Sequence, residues 1–229
     1  MKKRKCNVLS KELIAKRPKL ESDCCCQSCD KGTGLIITNI KASFKLDIPT
    51  EFEYIKKRCS ELPKSLEIVC YQSQPNILTI RFNSRTYICF KRSSNNTQWI
   101  NITRCECEQD IIEGIQDLLF LIDQPPKIIP FKIDNISCTG YLGKAVVLND
   151  IYIEHLNENL RYNPERFSAL EIRCPSVISA NRWKSLCCLL YKSGRLVIVG
   201  GNSISEIEKF YNWVKNIAIG EQIDLNSTE

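Results

Sequence analysis

The feature that most limits how this 229-residue chain can fold is an internal echo. Ile37-Thr38-Asn39-Ile40 returns as Ile133-Asp134-Asn135-Ile136, and Leu66-Glu67-Ile68-Val69-Cys70 returns as Leu170-Glu171-Ile172-Arg173-Cys174. The offsets are 96 and 104, so the halves read as duplicates with insertions. Each half has the order strand, helix, several strands, helix. Thr50 and Glu53 have capping-box spacing and open a short helix expected to bury Phe52, Ile55 and Cys59. A long helix follows, with Ile111, Ile112, Ile115, Leu118, Leu119 and Ile122 on one stripe. Its partner is expected to start at Ser205, capped with Glu208, and to present Ile207, Phe210, Tyr211, Val214 and Ile217.

The strands between these helices are apolar on both faces. In Leu186 to Tyr191 one face offers Cys187, Leu189 and Tyr191, and the other Leu186, Cys188 and Leu190; Leu196 and Ile198 alternate likewise with Val197 and Val199. Antiparallel sheets joined by short turns usually turn one polar face to water. Two amphipathic helices per half cover only one side. The second apolar face is therefore a binding surface, or is covered by tail, insertions or a second copy in a homodimer.

Charge is uninformative about that face. The net +6 lies mostly in the first thirty residues, which hold eight Lys and Arg against four Asp and Glu, while residues 34–123 balance eleven against eleven. The basic tail carries Lys2-Lys3-Arg4-Lys5 and, after a gap, Lys16-Arg17-Pro18-Lys19, the pattern of a bipartite nuclear localisation signal for an import receptor. A nuclear location is expected; no secretory apolar region follows the basic residues, and no apolar run is long enough for a membrane helix. Most of the fourteen Cys sit in apolar runs as reduced core residues, and the Cys24-Cys25-Cys26 and Cys29 cluster has poor geometry for a metal. No metal or cofactor is expected, and with one His and no phosphate loop or nucleophile elbow the chain does not read as an enzyme.

Tyr162-Asn163-Pro164-Glu165-Arg166-Phe167, then Leu170 and Arg173, then Tyr191-Lys192-Ser193-Gly194-Arg195 and an apolar strand ending in Gly200 resemble the second repeat of the TATA-box-binding protein family. Lys132-Ile133-Asp134-Asn135 resembles its start. The resemblance implies an α+β fold: two pseudo-symmetric repeats in one curved antiparallel ten-stranded sheet, a saddle with helices on its convex face. It implies a basic tail over 1–33, repeats over 34–123 and 124–218, and a terminal tail over 219–229. The concave face would sit on the minor groove of double-stranded DNA, with apolar wedges bending it.

Carried over by position, the resemblance makes Phe167 and Tyr191 the wedges of the second repeat and Phe82 the second wedge of the first, whose other wedge falls on Leu66 or Pro63. Asn39 and Asn135 would meet base-edge acceptors near the pseudo-two-fold axis. Arg173 and Arg195 would contact phosphates. The family's groove-facing valines become Lys41 and Ser137, and its Thr-Gly pair becomes Phe90-Lys91 and Val199-Gly200. The first repeat's turn becomes Ser84-Arg85-Thr86, and the equivalent of Arg173 falls on Val69 or Gln72. Two polar insertions, Lys91 to Asp110 with Trp99, Cys105 and Cys107, and Pro175 to Lys184 with Arg182, Trp183 and Lys184, depart from the family pattern. The expected function is a DNA-binding transcription factor that nucleates an initiation complex with general factors and polymerase. The alternative is an interaction saddle that recruits those factors with weak or no direct TATA binding.

Overall fold

A computed structural model of the chain describes residues 34–46, 51–90, 98–155, 159–175 and 186–220. The basic clusters Lys2 to Lys5 and Lys16 to Lys19, the Cys24 to Cys29 cluster, Thr50, and Arg182 to Lys184 lie outside these residues. Fourteen elements follow one another: β1 (Leu35–Leu46), α1 (Phe52–Glu61), β2 (Val69–Gln74), β3 (Ile77–Phe82), β4 (Arg85–Phe90), β5 (Gln98–Cys105), α2 (Glu108–Leu121), β6 (Phe131–Tyr141), α3 (Leu148–Glu154), β7 (Leu160–Arg161), β8 (Leu170–Arg173), β9 (Cys187–Leu190), β10 (Arg195–Gly201) and α4 (Ile204–Ile219). The strands form one antiparallel sheet in the order β2-β3-β4-β5-β1-β6-β10-β9-β8-β7. The expected fold class is the one observed, a curved ten-stranded sheet with four helices.

The order is a palindrome about β1 and β6, and its centre is the pair Ile40–Ile136. Adding 96 to each residue number turns the β1–β5 ladder into the β6–β10 ladder: Ala42–Ile102 becomes Cys138–Ile198, and Lys45–Trp99 becomes Tyr141–Arg195. Register shifts beside the centre recur in both halves, and such bulges increase local twist and bend the sheet.

One face of the sheet carries the core. Leu78, Ile80, Tyr87, Cys89, Ile100 and Ile102 pack under α1 and α2, and Leu170, Ile172, Cys188, Leu190, Leu196 and Ile198 form the matching layer beside Phe210 and Val214 of α4. The α2 stripe buries Ile111, Ile115, Leu118 and Leu119 as its periodicity predicts. Among the described residues no helix is long and apolar enough to cross a membrane.

Three local expectations are corrected. The helix α4 begins two residues early: Ser203 is the N-cap and accepts from the Glu206 N–H, because Ser203 with Glu206 has the same spacing as Ser205 with Glu208. At α1 the N-cap is Glu51, without a side-chain cap bond; Phe52 and Ile55 are buried as expected, whereas Cys59 is only part-buried. Part of the polar insertion expected over 91–110 is strand: Gln98–Cys105 is β5, the neighbour of β1, its inward residues Ile100 and Ile102 fully buried.

Candidate nucleic-acid interface

The second face of the sheet is the one the helices leave open. Residues 187, 189 and 191 are half-exposed there while 186, 188 and 190 are buried on the helix side; Val197 and Val199 oppose Leu196 and Ile198 in the same way. Burial raises the Cys187 thiol to about 11, the Glu171 carboxylate adding to it, so Cys187 stays protonated at neutral pH and presents an apolar surface.

Phe167 and Tyr191 meet on this face. Their ring centroids are 6.5 Å apart at 65°, an edge-to-face pair, and Phe167 is 47% exposed. Phe167 follows a turn closed by its own N–H on the Asn163 carbonyl at 2.9 Å. Tyr191 opens the four-residue β9–β10 loop, where the Gly194 N–H reaches the Tyr191 carbonyl at 2.8 Å and the Gly194 carbonyl accepts from the Leu142 N–H at 2.9 Å. Gly194 has φ +79°, and the Lys144 carbonyl stands where a Cβ would be, so only glycine closes this turn.

Two asparagines flank the pseudo-dyad. Asn39 pairs with Ser137 and Asn135 with Lys41, so the two lie diagonally about Ile40–Ile136. Asn39 Oδ1 accepts from the Arg104 N–H at 2.7 Å, and Asn135 Oδ1 from the Gly200 N–H at 2.8 Å. Asn135 Nδ2 also donates to Ser137 Oγ at 3.2 Å. Each carbonyl already accepts one backbone N–H, which fixes the amide's orientation, and the Nδ2 hydrogens, one of which Asn135 gives to Ser137, are its donors.

Phe82 is not on the open face. It stands opposite Arg85 across a two-residue turn, Asn83 and Ser84, both at positive φ. Arg85 turns toward α2, where its guanidinium holds Asp110 and Glu113 at 3.1 Å and Asp117 at 3.2 Å, and Asn83 Nδ2 reaches Asp117 at 2.9 Å. Phe82, on the same side as Arg85, is 4% exposed in the core.

Sheet register identifies what stands in its place. Tyr191 is the residue whose strand partner is Arg195; the counterpart of Arg195 is Trp99, and Trp99 pairs with Phe90. Phe90, half-exposed on the open face, is thus the first repeat's counterpart of Tyr191. By the same ladders β3 matches β8, not β9, so Leu78 corresponds to Leu170 and Arg81 to Arg173. Phe167, three residues before Leu170, corresponds by the same count to Pro75, so the position that the resemblance gave to Leu66 or Pro63 falls on Pro75. The Thr-Gly equivalent is Thr103-Arg104, matching Val199-Gly200, and not Phe90-Lys91. The offset of 104 between Leu66 and Leu170 is a chance likeness, since Leu66 ends a 3-10 turn and Glu67 is left-handed whereas Leu170 opens β8.

Arg173 and Arg195 reach the open face, but differently. Arg173 Nε is bonded to Glu171 Oε1 at 2.9 Å, whereas Arg195 lies exposed at the β9–β10 hairpin. In the first half Lys45 Nζ sits 4.7 Å from the centroid of Trp99, so the cation there is provided by β1 and lies over the ring. Among the described residues no group of His, Cys, Asp and Glu is arranged to hold a metal ion.

The profile of the family described as transcription factor TFIID (or TATA-binding protein, TBP) matches residues 130–226. A TATA-box-binding protein of Haloarcula marismortui is 27% identical over 150 residues, covering 64% of this chain and 71% of the relative. One of Archaeoglobus fulgidus is 26% identical over 180 residues, 76% and 88% of the two chains. The solved structure of Methanococcus jannaschii TBP superposes with a TM-score of 0.63 at 19% identity, covering 80% of this chain and 97% of that one, which bears on the fold. With the ten-stranded fold, these findings make the chain TATA-box-binding protein-like, the family profile matching it over residues 130–226.

Proposed function

We propose that this chain is a DNA-binding transcription factor that seats the open face of its sheet on the minor groove and bends the duplex. The observation that carries this reading is the apolar and aromatic face opposite the helices, where Phe167 is exposed and Tyr191, Val197 and Val199 are part-exposed. A minor groove supplies a narrow, largely apolar surface of matching kind, and aromatic wedges partly unstack base steps in exchange for a bent duplex that meets more protein. Phe167 and Tyr191 act as wedges in the second half and Phe90 in the first. Asn39 and Asn135 donate to acceptors on base edges at the centre of the site. Arg195, Arg81 and Arg173 face phosphates. The relatives' shared name, TATA-box-binding protein, supports the substrate class.

The same reading divides the chain into a basic tail over 1–33, repeats over 34–123 and 124–218 and a short tail over 219–229. The helices on the convex side are left to general factors and the polymerase machinery, and the clusters Lys2 to Lys5 and Lys16 to Lys19 to an import receptor. Gel-shift and bend measurements on a random duplex pool test it. The Phe167→Ala, Tyr191→Ala double variant and Phe90→Ala should bind more weakly and bend less; variants indistinguishable from the parent would refute minor-groove insertion. A parent chain that binds no duplex but sediments as a dimer would place a second copy on the open face instead.

A further inference from the structure

On the minor-groove reading above, the two halves of the open face offer different chemistry, and the difference is concentrated in neighbouring rows. Ser43, Asn101, Ile88 and Thr79 stand side by side across β1, β5, β4 and β3. Their counterparts are Thr139, Val197, Leu189 and Glu171. In the next row Thr103 and Thr86 correspond to Val199 and Cys187. At these two positions on the last strand of each half, Asn101 and Thr103 carry hydrogen-bonding groups where Val197 and Val199 carry only hydrocarbon.

The minor groove distinguishes base pairs by one group. A·T and T·A show acceptors only, and G·C adds the guanine N2 amino donor. Pressed against Val197 and Val199, that amino group would lose its water and gain no partner, a desolvation cost that disfavours G·C there. An asparagine has both functions: its amide N–H donates to base acceptors and its carbonyl accepts from the guanine amino group. Asn101 is half-buried between Ser43 and Ile88, on the row that a bound groove floor would meet.

We infer that Asn101 is a specificity-determining residue that admits a G·C pair beneath the first repeat, while Val197 and Val199 confine the second repeat to A·T. The element is then asymmetric, and the protein binds it in one orientation.

Gel-shift competition with the full chain tests this on duplexes carrying an A·T element, the same element with one G·C pair in one half, and with a G·C pair in both halves. Inosine in place of guanine removes only the minor-groove amino group. The parent should bind the one-G·C duplex about as well as the A·T duplex and the doubly substituted one about tenfold more weakly, with inosine restoring the loss. Asn101→Val should weaken binding to the one-G·C duplex about tenfold, and Val197→Asn should recover the doubly substituted duplex by a similar factor. An unchanged ranking in both variants, or equal loss with one and two G·C pairs in the parent, overturns the inference. Should Asn101→Val fail to fold, Val197→Asn decides alone, and its failure to rescue counts against the inference. A parent that binds none of these duplexes overturns the minor-groove reading itself.

Discussion

Asn39 and Asn135 make the same bond in the two halves of the sheet, each amide carbonyl accepting the backbone N–H of the residue 65 positions further along the chain. The bond fixes which way each amide points. Asn135→Asp preserves the acceptor and removes the donors. The expected outcome is a thermal midpoint close to the parent's with DNA affinity lower by about tenfold or more, since base acceptors would face a carboxylate. Asn39→Asp should behave alike. A large loss of stability with unchanged affinity would show that the asparagines serve the fold alone.

The two donors in those bonds have left-handed backbone, Arg104 at φ +66° and Gly200 at φ +94°. Left-handed conformation costs a residue with a Cβ about 1–2 kcal/mol relative to its ordinary regions. Gly200→Ala should therefore destabilise by about that amount. Arg104→Gly relieves the strain but loosens the unfolded chain, so the net gain should stay below about 1 kcal/mol. Urea denaturation of the two variants measures both.

Phe82 and Phe90 separate core from surface in one strand pair. Phe82→Ala empties a buried site and should cost about 3–5 kcal/mol. Phe90→Ala removes a half-exposed ring, so its loss of stability should be much smaller while the DNA bend falls. A reversed pattern, with Phe82→Ala harmless to stability, would contradict the placement of the β3–β4 turn.

The second repeat was legible in the sequence because its turns are local and specific: Asn163-Pro164 before Phe167, and Ser193-Gly194 after Tyr191, bring two aromatics to one face. The first repeat misled because a two-residue turn at Asn83-Ser84 imitates the hairpin that follows Tyr191. Since strand side chains alternate, taking β3 for the counterpart of β9 places Phe82 on the wrong face and puts Phe90 at the Thr-Gly position. Helix caps carried the missing signal: Cys107 with Asp110 and Ser203 with Glu206 are 96 residues apart, as are Asn39 and Asn135. Counting back from those caps pairs Trp99 with Arg195 and leads through the strand ladder to Phe90.

Glu171 lies on the open face and engages Arg173. An exposed pair of this kind contributes little to stability, but it occupies a cation expected to meet phosphate. Glu171→Gln should leave the melting temperature nearly unchanged, raise DNA affinity several-fold at low salt, and steepen the dependence of log affinity on log salt by about one. No change in the salt slope would mean that Arg173 does not contact phosphate.

The Asp110 carboxylate joins the start of α2 to the β3–β4 turn. Burial alone would raise its pKa, but the Glu106 N–H at 2.8 Å, the Arg85 guanidinium and the Cys107 N–H outweigh burial and hold it below the ordinary 3.8. A carboxyl depressed on folding contributes stability that is fully present above its unfolded value and is lost as pH falls through the folded one. The gap in stability between the parent and Asp110→Asn should therefore be flat from about pH 5 to 8, at about 1–2 kcal/mol for a lost cap and ion pair. It should begin to close below about pH 4 and vanish as pH falls through the lowered folded value, where the protonated acid and the amide become near-equivalent. Thermal midpoints of both proteins across that range decide the matter; a gap that persists in acid would assign the effect to packing and not to the charge.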